Sequence, residues 1–305
     1  MRTSGTSPPP CTIQLTEDEQ RRGQLAPTQL QQATLLLECN GFAILRGALP
    51  LDLVGEMKRQ YDAIVDDCLA SVSGKSLAQL PWRSARDTVF WIVNARLRAF
   101  VRLKGAFADP RVVANPFAAA VMANVLGRRF YCNSISSDTC LQGSTWQAPH
   151  RDIGFQPPGR ASGTIVNIAL MHCGLHNGPL EVWPGGSHLW RAEVFSKHGL
   201  RPFDQDKPNP AMERFASQVP SHKLDLRPGD VLLRDPAMLH RGTPNATPEP
   251  RAMLTIGYFR EGVAYAFGNP ADNVDDESWG TLDPRVRRLM EFRLRSGAAY
   301  PALHR

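Results

Sequence analysis

The second half of this chain is a succession of short apolar segments separated by turn residues. Thr164–Cys173 and Met253–Arg260 have the composition of strands, and turns such as Asn177-Gly178-Pro179 lie between such segments. Many short strands with turn signals between them favour an antiparallel barrel or a double-sheet jelly roll. No sequence repeat or strand–helix alternation indicates a parallel sheet. A mainly β core with flanking helices is therefore predicted over residues 129–262.

Helical periodicity precedes and follows this core. Thr28 is the expected N-cap of the first helix, and the apolar run Val89–Val93 fits either a strand or a buried helical turn. Residues 1–25 are polar and are predicted to form a mobile arm. We expect a single domain over residues 26–305, in which a helical lead-in at 26–128 packs against the jelly roll. The predicted helices are Pro27–Cys39, Pro50–Asp67, Arg111–Leu126 and a C-terminal helix at 283–296.

The most specific chemical signal is the tripeptide His150-Arg151-Asp152. Side chains two residues apart point to the same face of an extended strand, so His150 and Asp152 can converge on one point. An imidazole and a carboxylate are two thirds of the 2-His-1-carboxylate set that binds non-haem Fe(II). Because a His-x-Asp pattern also occurs by chance, the third ligand has to be found in another histidine.

His240 is the candidate for that third ligand. It follows the strand and bend of Leu232–Leu239 and precedes the turn Arg241–Asn245. His172, by contrast, lies inside a predicted strand and is expected either in the core or lining the site. Arg251 lies 251 − 240 = 11 positions after His240 and opens the final strand. A guanidinium binds a carboxylate through two parallel hydrogen bonds. Since 2-oxoglutarate chelates iron through its keto acid and leaves its far carboxylate free, Arg251 completes a set suited to this cosubstrate.

At this point the sequence resembles the phytanoyl-CoA dioxygenase family of Fe(II)/2-oxoglutarate-dependent enzymes, over roughly residues 28–262. The resemblance implies a double-stranded β-helix, which is a cupin-like jelly roll, with helices packed outside it. One departure is an extra glycine in the segment before His188, so we assign no catalytic role to His188. The matching motifs are Asn40-Gly41-Phe42-Ala43-Ile44-Leu45-Arg46-Gly47, His150-Arg151-Asp152, Asn177-Gly178-Pro179-Leu180, Pro184-Gly185-Gly186-Ser187-His188, Gly229-Asp230, His240-Arg241-Gly242 with Asn245, and Arg251.

The resemblance also implies which residues hold the cofactors. His150, Asp152 and His240 are expected to bind Fe(II), and Arg251 to hold the distal carboxylate of 2-oxoglutarate. Gln147, three residues before the first ligand, matches a glutamine that contacts the cosubstrate in some members of the family.

The reaction follows from the same resemblance. Members of the family use O2 and 2-oxoglutarate to oxidise a substrate, and they release succinate and CO2. Related halogenases have a small residue at the position of Asp152, so the carboxylate favours hydroxylation or another halide-free outcome such as desaturation, epoxidation or rearrangement. A small-molecule substrate in natural-product biosynthesis is expected. The alternative is a non-catalytic cupin-like protein that binds a metal or ligand, which Arg251 disfavours because a binding module needs no cosubstrate anchor.

Residues around the motifs have two expected roles. Either Asp235 or Asn167 is expected to orient the ligand imidazoles, and the sequence does not choose between them. Aromatic side chains near the motifs are expected to line the substrate pocket or to pack in the core. These aromatic residues are Trp146, Phe155, Trp183 and Phe259.

Composition excludes several other classes of protein. The formal net charge is +6, but no basic run with interleaved aromatic residues indicates nucleic-acid binding. No apolar run approaches the ~18 residues of a membrane span, and the first residues lack the apolar region of a secretory signal. The six cysteines form no Cys-x-x-Cys pair, which favours reduced thiols in a cytoplasmic protein. The oligomeric state stays open.

Overall fold

The computed structural model describes residues 11–155, 161–263, 268 and 272–295. The strands are β1 (Thr12–Gln14), β2 (Phe42–Arg46), β3 (Gln79–Ala85), β4 (Thr88–Val93), β5 (Arg96–Ala99), β6 (Phe130–Ser137), β7 (Thr139–Cys140), β8 (Gly163–Ala169), β9 (Leu180–Val182), β10 (His222–Lys223), β11 (Val231–Arg234), β12 (His240–Gly242) and β13 (Met253–Arg260). The helices are α1 (Glu17–Arg22), α2 (Pro27–Asn40), α3 (Leu51–Ala70), α4 (Pro110–Val113), α5 (Pro116–Leu126), α6 (Ala192–Ser196), α7 (Pro210–Ala216), α8 (Asp276–Thr281) and α9 (Pro284–Arg295).

Two sheets enclose a common interior. The main sheet has the strand order β1-β2-β11-β8-β13-β6, and a second sheet has the order β10-β9-β12. Ile44, Ala169 and Leu232 of the main sheet pack against Leu180 and Val182 of the second sheet. All these strand pairs are antiparallel except β1 with β2. This is the jelly-roll arrangement that the sequence predicted.

A third sheet, β3-β4-β5-β7, continues the main sheet at its β6 edge. Phe100, which follows β5, forms a bridge with Ser136 of β6, and Cys140 at the end of β7 forms one with Arg251. The ambiguous apolar run at 89–93 is therefore a strand, β4, which pairs with β3 and β5. Through these bridges β5 also forms part of the wall around the interior.

The alternation of side chains along β13 separates the interior from the outer core. Leu254, Ile256 and Tyr258 belong to the hydrophobic cluster that includes the buried residues of α2, α3 and α5. Thr255 faces the other way and accepts a hydrogen bond from Asn167 of β8, at 3.0 Å. Successive residues of a strand point to opposite faces, so one strand can serve both surfaces. The helices thus cover the outside, as expected, and leave the interior free for polar groups.

Prolines decide where two of the lead-in helices begin. Pro27 occupies the first turn of α2 and Ala26 is its N-cap, which corrects the expectation that Thr28 caps this helix. The single helix predicted over Arg111–Leu126 is two helices, because α5 starts again at Pro116 after the side chain of Asn115 caps it. Proline has no N–H and is tolerated only at the start of a helix, which explains both boundaries.

Two further boundaries differ from the sequence prediction. Residues 12–22, which were assigned to a polar arm, form β1 and α1, and β1 pairs with β2 in the main sheet; residues 1–10 lie outside the described residues. The strand predicted to run to Cys173 ends at Ala169. His172 is consequently exposed and not in the core, and its Nε2 lies 2.5 Å from an oxygen of Asp225.

Where the structure describes the chain, no helix combines the length and the apolar character that crossing a membrane requires.

Replacing Asn273 should test how the jelly roll is attached to its lead-in. Its buried side chain accepts from the N–H of Ile135 and donates to the carbonyls of Val101 and Ile135. Asn273→Ala leaves these buried backbone groups without hydrogen-bond partners, so we expect the free energy of unfolding to fall by about 2–3 kcal/mol. Chemical denaturation measures this, with Asn124→Ala as the control because Asn124 donates to Thr34 at the surface. An equal effect of the two substitutions would contradict the expectation.

Candidate metal centre

Two histidines are brought together by a pair of backbone hydrogen bonds. The N–H of His150 donates to the carbonyl of His240 at 2.9 Å, and the N–H of His240 donates back to His150 at 3.0 Å. Residues opposed in this way in an antiparallel pair carry their side chains on the same face. The two imidazole rings accordingly lie 4.3 Å apart between centroids, and both are buried.

Each imidazole is oriented by the carbonyl two residues before it. Nδ1 of His150 lies 2.9 Å from the carbonyl oxygen of Ala148, and Nδ1 of His240 lies 2.9 Å from that of Met238. A carbonyl only accepts, so the proton of each neutral ring is on Nδ1 and the lone pair is on Nε2. In this tautomer both Nε2 atoms have a lone pair that can bind a metal.

Asp152 completes the cluster. Its Oδ1 lies 3.8 Å from Nε2 of His150 and 3.5 Å from Nε2 of His240. The ligand atoms of the three residues all lie within 4.8 Å of one another. The N–H of Asp152 donates to the carbonyl of Pro236 at 2.8 Å, which fixes the backbone beside the second sheet. Two imidazole nitrogens and one carboxylate oxygen form a donor set that fits Fe(II).

The protonation states of the ligands suit a metal. Burial and the neighbouring His240 hold the pKa of His150 well below its ordinary value, so its imidazole is neutral near pH 7. Burial alone would raise the pKa of Asp152, but the charge of Arg234 and the contact with His240 outweigh burial and hold it well below the usual range. Metal ligands must be deprotonated to bind. No proton has to leave His150 or Asp152 near neutral pH.

Arg234 is a part of this site that the sequence analysis missed. It lies at the end of β11, is 5% exposed, and its Nη1 is 2.6 Å from Oδ2 of Asp152. Its Nε donates to Oδ1 of Asn167 at 3.2 Å. The only available sign in the sequence was an arginine at the end of an otherwise apolar strand. A strand buried on both faces gives no period-two pattern that would show which way this side chain points.

The side chains expected to orient the imidazoles have other partners. Oδ1 of Asp235 accepts from the N–H of Ala237 at 2.7 Å, and Asn167 contacts Arg234 and Thr255. Neither side chain has a hydrogen bond to the ligand histidines among the described residues. The expectation is corrected here, because the orienting acceptors are backbone carbonyls, which sequence analysis cannot distinguish.

The predicted cosubstrate anchor Arg251 and the predicted residue Gln147 are both buried. Arg251 donates to the carbonyl of Asp138 at 2.8 Å and to the sulfur of Cys140, and it lies 3.7 Å from Oδ2 of Asp138. Gln147 accepts from the N–H of Gly242 at 2.9 Å. Nε of Arg251 and Nε2 of Gln147 are buried donors that have no partner among the described residues. Two such donors fit an anionic cosubstrate, since buried polar groups are normally hydrogen-bonded.

Gly242 connects the metal cluster with the residues predicted to hold the cosubstrate. It lies two positions after His240 on β12, so it faces the interior with the ligand. A Cβ atom at this position would lie 2.6 Å from Nη1 of Arg96 and 2.7 Å from Oε1 of Gln147. Arg96 in turn contacts the sulfur of Cys140, which Arg251 also contacts. The metal cluster and the buried arginine are therefore parts of one continuous interior.

The four aromatic residues predicted to line a pocket have different surroundings, and their role in binding a substrate stays a prediction. Phe259 packs with Ile153 in a small cluster beside the ligand segment. Trp146 is 46% exposed and contacts Arg241, which lies on the opposite face of β12 from His240.

Trp183 and Phe155 belong to another cluster. Trp183 is buried and donates from Nε1 to the carbonyl of Ala216. Phe155 borders a cavity of about 950 Å³, lined also by Arg151 and Ile153. Arg151 and Ile153 flank Asp152 in the chain, so this cavity borders the ligand segment.

His188 is also outside the metal cluster. Its Nε2 lies 2.9 Å from the carbonyl oxygen of Glu38, in α2.

Three aromatic residues that were not predicted form a stack on the third sheet. The ring centroids of Trp82 and Trp91 are 4.2 Å apart, and Trp82 is stacked on Phe100 at 5.7 Å with an interplanar angle of 11°. The pairing of β3 with β4 is irregular between Leu80 and Arg83, at the position of Trp82. A β-bulge re-aims a side chain, which explains why period-two alternation does not reveal this stack.

Comparisons with known proteins agree with the geometry. The family model "Phytanoyl-CoA dioxygenase (PhyH)" matches residues 37–253. Among solved structures, the chain is similar to AviO1 from Streptomyces viridochromogenes Tue57, with 20% identity, a TM-score of 0.55, and coverage of 79% of this chain and 99% of that chain. It is similar to the epimerase SnoN in complex with Fe3+, alpha ketoglutarate and nogalamycin RO, with 20% identity, a TM-score of 0.54, and coverage of 79% and 87%.

A third similar structure is the non-heme alpha ketoglutarate dependent carbocyclase SnoK from nogalamycin biosynthesis, with 16% identity, a TM-score of 0.54, and coverage of 85% of this chain and 92% of that chain. At these identities the similarity establishes the fold. The expected double-stranded β-helix is confirmed.

Removing one member of the cluster should abolish metal binding. We expect Asp152→Ala to weaken the binding of Mn(II) by more than about 100-fold, which exceeds the usual effect of residues that merely support ligands. His172→Ala is the matched control, because His172 forms a histidine–aspartate pair at the surface. Calorimetric titration under anaerobic conditions measures both. Equal Mn(II) affinities for the two variants would exclude this cluster as the metal site.

Proposed function

Because the chain belongs to the phytanoyl-CoA dioxygenase family of Fe(II)/2-oxoglutarate-dependent enzymes, we propose that it oxidises a C–H bond of a small organic molecule. The single observation that carries this proposal is the convergence of His150, Asp152 and His240 in an interior that also contains the buried Arg251, whose Nε has no partner among the described residues. A non-catalytic binding protein would need the metal cluster but not the buried arginine.

The chain's own residues divide the work between metal and cosubstrate. Nε2 of His150, Nε2 of His240 and Oδ1 of Asp152 would hold the iron. When bound together, iron and 2-oxoglutarate supply an oxidant made from O2, with succinate and CO2 as co-products. Holding the ligand atoms on one side of the metal leaves its other positions to exchangeable groups. With a carboxylate from Asp152 as a ligand, hydroxylation or another halide-free oxidation is the proposed outcome.

Arg251 and Gln147 would hold the distal carboxylate of 2-oxoglutarate. The guanidinium of Arg251 is 1% exposed, and burial of a lone carboxylate in such a place is strongly unfavourable unless it is paired. The guanidinium stays charged, because its pKa, which burial would lower, is raised by Cys140 and Asp138. An acid that enters the interior therefore meets a fixed positive charge.

Two structural neighbours support a small-molecule substrate from natural-product biosynthesis. SnoN was solved with nogalamycin RO, and SnoK is described as a carbocyclase from nogalamycin biosynthesis. These descriptions belong to those proteins, and we propose the corresponding substrate class for this chain. Within the chain, we propose that the aromatic stack of Trp82, Trp91 and Phe100 forms the part of the third sheet that a ring-containing substrate approaches.

Arg98 lies beside this stack and supports an acidic group on the substrate. It pairs with Trp91 across β4 and β5, and the register Leu97 to Thr139 places it opposite Asp138. Within the described part of the chain, its guanidinium has no hydrogen-bond or ion-pair partner. The negative charges of Asp138, Asp206 and Asp152 outweigh its burial and raise its pKa, so its guanidinium stays charged.

The first test is production of succinate by the purified protein with Fe(II), ascorbate, O2 and 2-oxoglutarate. We expect turnover that Arg251→Gln reduces mainly by raising the KM for 2-oxoglutarate, by about 10-fold or more, because a charged hydrogen bond contributes ~2 kcal/mol. Arg260→Gln, which replaces the arginine at the end of β13, is the matched control. Iron-dependent binding of 2-oxoglutarate without turnover would indicate that a substrate is missing from the assay. Absence of both binding and turnover would favour the non-catalytic alternative.

The substrate class is tested with a panel of planar ring compounds that carry a carboxylate, each paired with its neutral amide. We expect the acids to stimulate succinate formation more than the amides. Arg98→Gln should raise the KM for the stimulating acid by about 10-fold while leaving the KM for 2-oxoglutarate unchanged. If the KM for 2-oxoglutarate rises instead, Arg98 belongs to the cosubstrate site, and the proposal that the substrate carries an acidic group is rejected.

A further inference from the structure

Arg234 is a buried arginine that contacts a predicted metal ligand directly. It ends β11, whose other residues, Val231, Leu232 and Leu233, are apolar and buried. Arg234 itself is only 5% exposed. A buried guanidinium is costly unless it is paired and hydrogen-bonded, so its partners should explain why it is there.

The two oxygens of Asp152 have different neighbours. Oδ2 lies 2.6 Å from Nη1 of Arg234, in an ion pair whose N–H is not aligned as a regular hydrogen bond. Oδ1 is the oxygen that lies 3.8 Å from Nε2 of His150 and 3.5 Å from Nε2 of His240. One oxygen is thus engaged by the protein, and the other faces the two nitrogen ligands.

The guanidinium is held in place by two neighbouring strands of the main sheet. Nε of Arg234 donates to Oδ1 of Asn167 in β8 at 3.2 Å, and Nδ2 of Asn167 donates to Oγ1 of Thr255 in β13 at 3.0 Å. Asn167 and Thr255 are directly opposed across the two strands. This chain of contacts, from Thr255 to Asp152, leaves Arg234 little freedom to move away from Oδ2.

We propose that Arg234 is a positioning residue that limits Asp152 to binding the metal through Oδ1 alone. The inference rests on the proposed function, because it concerns the iron site of that reaction. A carboxylate can bind a metal through one oxygen or both. If both oxygens of Asp152 bound, one position that 2-oxoglutarate or O2 requires would be lost.

Charge argues that Arg234 does not serve metal affinity as such. A guanidinium near a divalent cation repels it, and the repulsion is stronger in a buried site than in water. A side chain that merely tightened metal binding would be neutral or negative. The position of Arg234 is better explained by control of the carboxylate, at some cost in affinity for the metal.

The test is to measure metal and 2-oxoglutarate binding separately in Arg234→Met, which keeps an unbranched side chain and removes the charge and the donors. We expect the dissociation constant for Mn(II), measured anaerobically by calorimetry, to stay the same or fall. We expect the affinity of the Mn(II)-loaded variant for 2-oxoglutarate to weaken by about 10-fold or more, because a second bound oxygen of Asp152 would compete with the chelate for one metal position. The visible absorption band of the Fe(II)–2-oxoglutarate chelate should weaken in parallel.

Two further variants separate positioning from damage to the fold. Arg46→Met removes another buried arginine. Arg46 lies on β2, the strand next to β11, and forms an ion pair with Asp230 at 3.0 Å, away from the metal ligands. This variant should have a lower thermal stability, but the ratio of its affinities for Mn(II) and for 2-oxoglutarate should not change. Asn167→Ala frees the guanidinium without removing it and should give an intermediate loss of 2-oxoglutarate affinity.

The outcomes distinguish this inference from the proposed function. If Arg234→Met weakens Mn(II) and 2-oxoglutarate to the same extent, the residue has a general structural role and the inference is rejected. If Arg234→Met binds both like the wild-type protein, Arg234 does not control Asp152. If the wild-type protein itself binds no Mn(II) or Fe(II), it is the proposed function that fails.

Discussion

The candidate site depends on one reciprocal pair of backbone hydrogen bonds, between His150 and His240. This pair joins the ligand segment to β12 and places both side chains on the interior face. The two-residue repeat of extended backbone then adds Asp152 to the same face. Even the orientation of each imidazole depends on the backbone, through the carbonyls of Ala148 and Met238. The positions of the predicted ligands therefore follow from strand pairing, and the surrounding side chains adjust charge and access.

That surrounding interior contains more positive than negative charge. Its four arginines have different environments. Arg96 contacts backbone carbonyls, Arg234 contacts a predicted metal ligand, and Arg251 contacts a carboxylate and a thiol. Arg98 has no direct partner in the described part of the chain. The opposing carboxylate of Asp138 stays ionised, because the nearby arginines outweigh burial and hold its pKa below the usual range. Such an interior favours acids, and a dicarboxylate cosubstrate would balance part of the excess.

Sequence reasoning was strongest where chemistry and strand geometry coincide. His150 and Asp152 could be paired because their spacing matches the strand repeat, and Arg251 because its charge suits a carboxylate. Both the family and the fold are confirmed, whereas the roles of these residues stay predictions. Side chains inside fully buried strands could not be placed, since Arg234 and its apolar neighbours show no alternation. Trp82 lies at an irregular position of β3, and no local pattern predicts the partners it meets on other strands.

Gly242 carries a consequence for sequence variation within the family. It has no unusual backbone angle, yet a Cβ atom there would displace the buried ends of Arg96 and Gln147. Both ends are fixed, because Arg96 donates to the carbonyl of Thr243 and Gln147 accepts from Gly242 itself. An alanine here would have to displace both side-chain ends from these hydrogen bonds. Because Arg96 and Gln147 belong to the interior that holds the predicted ligands, we expect relatives that keep the reaction to retain glycine at this position.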